Sequence, residues 1–138
     1  MASPNALTLD RLRREGYAAG VVERFIAGAG ENGQGIRVDF LGCIDIIAVK
    51  PGVPVLAVQC TSLAHVGDRL AKARGKPELR TWLAAGAVFQ VWGWAKRPEG
   101  WRVRIVEVQA GDLADVVLEA PPRKRRRSRW QAPDLFGG

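Results

Sequence analysis

The chain predicts an α/β fold, α+β by some conventions, built on a mixed sheet. Three observations carry this expectation. Short apolar runs rich in β-branched residues recur between glycine and proline breaks, as strands do. A stretch of helical periodicity, Leu63, Val66, Leu70 and Ala73, interrupts them in mid-chain. The resulting order is helix, three strands, helix, two strands. The long helical stretch between the third and fourth strands is a crossover, so the sheet contains both parallel and antiparallel pairs.

Thr8 to Glu15 reads as an amphipathic helix, with Leu9 and Leu12 on one face, Thr8 as cap and Gly16 as its end. Tyr17 to Ile26 reads as one strand, strongest over Val21 to Ile26. The glycine-rich Ala27 to Gly35 is a loop or hairpin connection. Ile44 to Lys50 is the second strand, and Pro51-Gly52 a tight turn. Val53 to Cys60 is almost continuously apolar, the mark of a strand covered on both faces. Ser62 is placed to cap the helix that follows. Gly75-Lys76-Pro77 breaks that helix, and Pro77 suits the first turn of a second piece, Glu78 to Ala85. Ala87 to Ala95 and Trp101 to Gln109 are the last two strands, joined by a hairpin-like loop. The domain is expected to span 1–120, and 121–138 to form a basic, disordered tail.

A chain of 138 residues has the size of one domain with a real core. No apolar run reaches the roughly 18 to 20 residues that span a bilayer, and Met1 to Asn5 shows no signal-peptide pattern. Both point to a cytoplasmic protein without membrane contact. Cys43, Cys60 and the single His65 cannot supply a zinc site of the usual ligand set. The formal charge is +7, and six positive charges fall within Arg123, Lys124, Arg125, Arg126, Arg127 and Arg129 with no negative one among them. Such an arm attracts nucleic acid by counterion release, without reading sequence. Its arginine bias favours two-pronged phosphate contact over simple solubility.

Asp45 is the first residue to suggest chemistry. It stands in Gly42-Cys43-Ile44-Asp45-Ile46-Ile47-Ala48-Val49, where a carboxylate is costly unless paired, hydrogen-bonded or bound to metal. A salt-bridged core aspartate is the plain alternative. The next strand turns polar at its end, Val58-Gln59-Cys60-Thr61-Ser62, and alternation puts Gln59 and Thr61 on one face. Adjacent strands can therefore bring Asp45 and Gln59 together. Glu23 and Asp39 are the further carboxylates within reach, Glu23 the better placed for its apolar neighbours. Arg69, Lys72 and Lys76 recur at helical spacing as a cationic stripe. A surface pair between Lys72 and Asp68 is the alternative for Lys72.

An aspartate in an apolar strand, a hairpin, then a strand ending in a polar triplet resembles the signature of the PD-(D/E)xK nucleases. Val38 to Ala48 followed by Val58 to Ser62, with Trp92-Gly93-Trp94 beyond, is more particularly similar to small Holliday-junction-resolvase-like or Mrr-like proteins of phages and prophages. The resemblance implies a restriction-endonuclease-like core and a metal-dependent endonuclease acting on DNA, on junctions or flaps for instance. It implies Mg2+ or Mn2+ held by Asp45 with Glu23 or Asp39, Gln59 in the place of the second acid, and the Cys60 backbone carbonyl as a further ligand. The motif lysine is replaced by Thr61, so Lys72 is expected to supply the missing cation. Arg69, Lys76 and the tail arginines are expected to meet the nucleic acid. The resemblance also implies a homodimer in a prokaryotic or phage-infected cell. The alternative is a nuclease fold that has lost catalysis and only binds DNA. Gln131, Leu135 and Phe136 loosely resemble a sliding-clamp-binding peptide, with Pro133 disturbing its spacing.

Overall fold

The computed structural model describes residues 2–110 and 115–122. They form an α+β fold with a mixed six-stranded sheet and three α-helices. The first helix, α1 (Pro4–Arg14), begins earlier than the pattern of leucines suggested. Ser3 is its cap, with Oγ accepting from the Ala6 amide at 3.2 Å, and Pro4 occupies the first turn, where its missing N–H costs nothing. Thr8 is not the cap. It is buried inside the helix, where its Oγ1 accepts the indole N–H of Trp94 at 2.9 Å.

The stretch expected as one strand is two. β1 (Ala18–Val21) pairs antiparallel with β4 (Ile46–Val49), whereas β2 (Arg24–Ile26) leaves the sheet to form a separate ribbon with β3 (Ile36–Val38). The break falls at Val22-Glu23, where the Val22 amide still donates to the Asp45 carbonyl at 2.8 Å. β4 continues through the Pro51-Gly52 turn into β5 (Leu56–Ser62), again antiparallel. A 3-10 turn over Leu63–His65, α2 (Val66–Arg74) and α3 (Pro77–Ala84) make the crossover to β6 (Val88–Arg97), which lies parallel to β5 as expected. Ser62 stands at the start of that crossover but makes no side-chain capping bond. β7 (Gly100–Val108) and β8 (Asp115–Glu119) complete the order β1-β4-β5-β6-β7-β8. Neither β3 nor β8 was expected.

β5 is buried on both faces, and its alternation divides the core. Leu56, Val58 and Cys60 pack with Ile46, Ala48, Trp92, Trp94, Val103 and Ile105 beneath Leu12 of α1. Ala57 packs the other way, with Phe89, Val91, Val106 and Val108 beneath Val66, Leu70, Ala73 and Leu79 of α2 and α3. Period-two alternation in the strand thus supplies two cores, one for each helical layer. Among the described residues no helix is long and apolar enough to cross a membrane.

Gly93 is the point of closest approach between the sheet and the crossover. A Cβ there would stand 2.2 Å from Val66 Cγ2 and 3.1 Å from Leu63 Cα. Gly93→Ala is therefore expected to destabilise the fold by ~1–3 kcal/mol through overpacking, visible as a lower urea midpoint with an unchanged slope.

Candidate metal centre

Three carboxylates meet where β1, the turn before β4 and the start of β4 converge. One oxygen from each of Glu23, Asp39 and Asp45 lies within 4.8 Å of the others, a spacing that can hold a metal ion. Each residue arrives by a different local cause. Glu23 sits at the break where the chain leaves the main sheet for the ribbon, so its side chain is half-buried instead of following a strand face. Asp39 ends the ribbon and opens a tight turn, with the Gly42 amide donating to the Asp39 carbonyl at 3.0 Å. That turn passes through Leu41 at φ 54° and Gly42 at φ 77°. A leucine in the left-handed region costs ~1–2 kcal/mol, strain that the surrounding fold holds between the two aspartates.

Asp45 follows, 6 % exposed. Its amide donates to the Val58 carbonyl at 3.0 Å, and its Oδ2 accepts the Cys60 amide at 2.8 Å. The carboxylate is thereby fixed across β5 by a main-chain donor. Glu23 Oε1 accepts from Asn5 Nδ2 at 3.1 Å and from Arg37 Nη1 at 3.4 Å. Gln59, 2 % exposed, donates Nε2 to Asp39 Oδ2 at 3.3 Å. Because a carboxylate only accepts, that contact fixes which end of the amide is which. The other end, Oε1, is buried and has no hydrogen-bond partner among the described residues.

These groups line an open cleft of about 370 Å³ together with Ser3, Pro4, Cys60 and Arg69. Burial pushes the Asp45 carboxyl up to about 7; the Cys60 amide opposes the shift, while hydrogen bonding and charge from Asp39, with charge from Glu23, add to it. A carboxyl so placed holds a proton near neutral pH or gives it up to a cation.

The cluster thus unites Asp45, Gln59, Glu23, Asp39 and Cys60, with Arg69 beside them. Three other expected residues stand elsewhere. Thr61 is buried but does not line the cleft. Lys72 is exposed on α2 and does not line it either; its charge is felt at the Cys43 thiol, together with that of Lys76. Helical phase explains this. The buried stripe of α2 is Val66, Leu70 and Ala73. At about 100° per residue, Arg69 flanks that stripe by roughly 65° whereas Lys72 lies roughly 125° away. Lys76 caps α3, its Nζ close over Gly42. Asp68 lies 3.6 Å from His65 Nδ1, and both are exposed. Trp92 and Trp94 are buried in the core beneath α1. Arg123, Lys124, Arg125, Arg126, Arg127 and Arg129, and the clamp-like Gln131, Leu135 and Phe136, lie outside the described residues.

Asn5 and the Arg69 side of the cleft were not joined to the acids by sequence reasoning. The signal for Asn5 was the Ser3-Pro4 helix start, which aims the first turn of α1 at Glu23.

The raised Asp45 value has a consequence for stability. The folded state holds the Asp45 proton up to about 7, whereas an ordinary aspartate carboxyl releases it near 3.8. Its favourable contribution is therefore complete below the lower value and is lost as pH rises through the higher one. Without metal, the melting temperature is expected to fall between about pH 4 and 7 more steeply than in Asp45→Asn. Parallel pH curves for the two proteins would show that Asp45 titrates normally. Comparison with models of protein families, with curated proteins and with solved structures returns no match.

Proposed function

We propose that the protein is a divalent-metal-dependent nuclease of the PD-(D/E)xK type that hydrolyses DNA phosphodiester bonds. One observation carries the reading: three carboxylates within 4.8 Å of one another share a cleft with the unpartnered, buried Gln59 amide oxygen. An oxygen-only donor set suits Mg2+ or Mn2+ and excludes the sulfur-rich preference of softer metals. Glu23, Asp39 and Asp45 would hold the ion, with Gln59 Oε1 and the Cys60 carbonyl as further oxygen donors. When bound, such an ion supplies Lewis-acid activation of water and offsets charge on the phosphate.

The chain's own residues do the remaining work. The Cys60 amide fixes Asp45 Oδ2 and keeps that carboxylate from rotating away. Asn5 and Arg37 hold Glu23 at the cleft wall. Gln59 orients Asp39 through Nε2. The antiparallel β4–β5 pair followed by the helical crossover to a parallel β6 supports a restriction-endonuclease-like core. The basic segment from Arg123 onward is assigned to sequence-independent DNA affinity.

Magnesium- or manganese-dependent cleavage of junction, flap, duplex and single-stranded DNA tests the assignment. Asp45→Ala is expected to lower cleavage by more than the roughly 10- to 100-fold typical of groups that only orient metal ligands, while leaving DNA binding largely intact. Turnover near the wild-type rate in that variant would make Asp45 a structural residue.

Truncation after Pro122 is expected to weaken binding to unrelated duplexes alike. The slope of log affinity against log salt should fall by up to about 5, as six lost phosphate contacts imply. An unchanged slope assigns the phosphate contacts to the folded body.

A further inference from the structure

Arg69 is the polar group of the cleft that the metal-holding role leaves unused. It lines the cleft with the three acids, yet it forms no hydrogen bond or ion pair with any described residue. Its Nε is completely buried and without a partner among the described residues. Leaving such a donor unsatisfied costs ~1–3 kcal/mol, more when the group is charged. The other cation of the cleft, Arg37, is spent on Glu23 at 3.4 Å and is otherwise open to solvent. A guanidinium that lines the same cleft as three carboxylates but pairs with none of them is arranged for an anion from outside the chain.

We propose that Arg69 is an oxyanion-binding residue that takes a non-bridging oxygen of a phosphate ester entering the cleft, with Arg37 at its rim. The identity of the ester as a phosphodiester rests on the nuclease reading; the anion site does not. The electrostatic role is plain: three carboxylates repel a phosphate, and a guanidinium inside the cleft offsets part of that repulsion. Guanidinium geometry suits the task, since its two terminal nitrogens can meet two phosphate oxygens together. The N-terminus of α1 opens on the same cleft through Ser3, Pro4 and Asn5 and adds a favourable dipole end. The position of Arg69 also answers for Thr61, which stands where the motif has lysine but does not reach the cleft. The cation comes from α2 at the phase that flanks the buried stripe, not from Lys72 farther round the helix.

The test follows the Arg69 side-chain Nε–H signal by nitrogen-15 NMR in the full chain. Thymidylyl-thymidine and inorganic phosphate are titrated separately, each with and without Mg2+. Mn2+ affinity is measured in parallel by calorimetry. The diester is expected to move the Arg69 signal to saturation. Arg69→Ala should weaken diester binding roughly 10- to 100-fold, the size of a charge-assisted hydrogen bond, and Arg69→Lys should fall between. Mn2+ affinity should hold or rise in both variants, since a positive neighbour is removed or softened. An unmoved Arg69 signal, or equal diester affinity in wild type and Arg69→Lys and Arg69→Ala, overturns the proposal. A response to inorganic phosphate but not to the diester overturns the ester assignment. Movement by the diester with no Mn2+ binding leaves the anion site standing and removes the nuclease reading. Mn2+ binding with an unmoved Arg69 does the reverse.

Discussion

The hydrogen bond from the Cys60 amide to Asp45 Oδ2, at 2.8 Å, joins the two strands that hold the site and fixes a carboxylate where the sheet is otherwise apolar. Much of the site depends on keeping that acid buried. With Glu23 and Asp39 within 4.8 Å, each pair of ionised carboxylates repels by ~3 kcal/mol or more at an effective dielectric of about 20. Asn5 and Arg37 relieve Glu23 alone, and Arg37 is largely exposed and screened. The Cys60 amide relieves Asp45 but does not cancel its burial, so its carboxyl remains raised to about 7. Such a cluster is stable with a proton or a cation and strained without either. The fold accepts this strain, and the left-handed Leu41 between the two aspartates, because the sheet beneath is packed on both faces.

The sheet makes that burial possible through β5. Its two faces feed separate cores, and its C-terminal end carries Gln59 and Cys60 into the cleft. The parallel β5–β6 pair forces a crossover, and the crossover brings α2 across the same end of the sheet. Polar groups at strand ends beside a crossover helix are where open α/β sheets place their ligands. Gly93 lets the start of that crossover pack closely on β6, and Arg69 on α2 lines the acids' cleft.

The strands around Asp45 were legible because each is an apolar run with a single polar exception, and the crossover because its helical period is unmistakable. Asp45 and Glu23 were legible as candidates for the same reason, each being costly among apolar neighbours, Gln59 through strand alternation and Asp39 as a carboxylate within reach. What the pattern hid was geometry that depends on departures from regular strand. Nothing in Val21 to Ile26 marks the break at Glu23, since both halves have strand-like residues; the second half turns away because its partner is β3, which has only three residues after a glycine-rich loop. β8, at the sheet edge, was not legible either. Charge spacing alone points to Lys72 and does not weigh the phase of the buried stripe. Once Val66, Leu70 and Ala73 are taken as inward, Arg69 is the nearer of the two.

Gln59 shows how this site balances charge against hydrogen bonding. The pattern that the chain resembles has an acid there. A fourth carboxylate would add three further repulsions to a cleft that already strains to hold three, and it would raise the proton affinity of Asp45 still more. Glutamine removes that charge, gives Asp39 a donor at 3.3 Å and leaves one uncharged oxygen facing no partner. Protons and cations compete for the same oxygens. A neutral fourth donor weakens the pull on both, but the proton loses more, because it binds Asp45 alone while a cation still meets three carboxylates. Under the proposed metal-binding role, glutamine at this place therefore favours the cation over the proton at neutral pH.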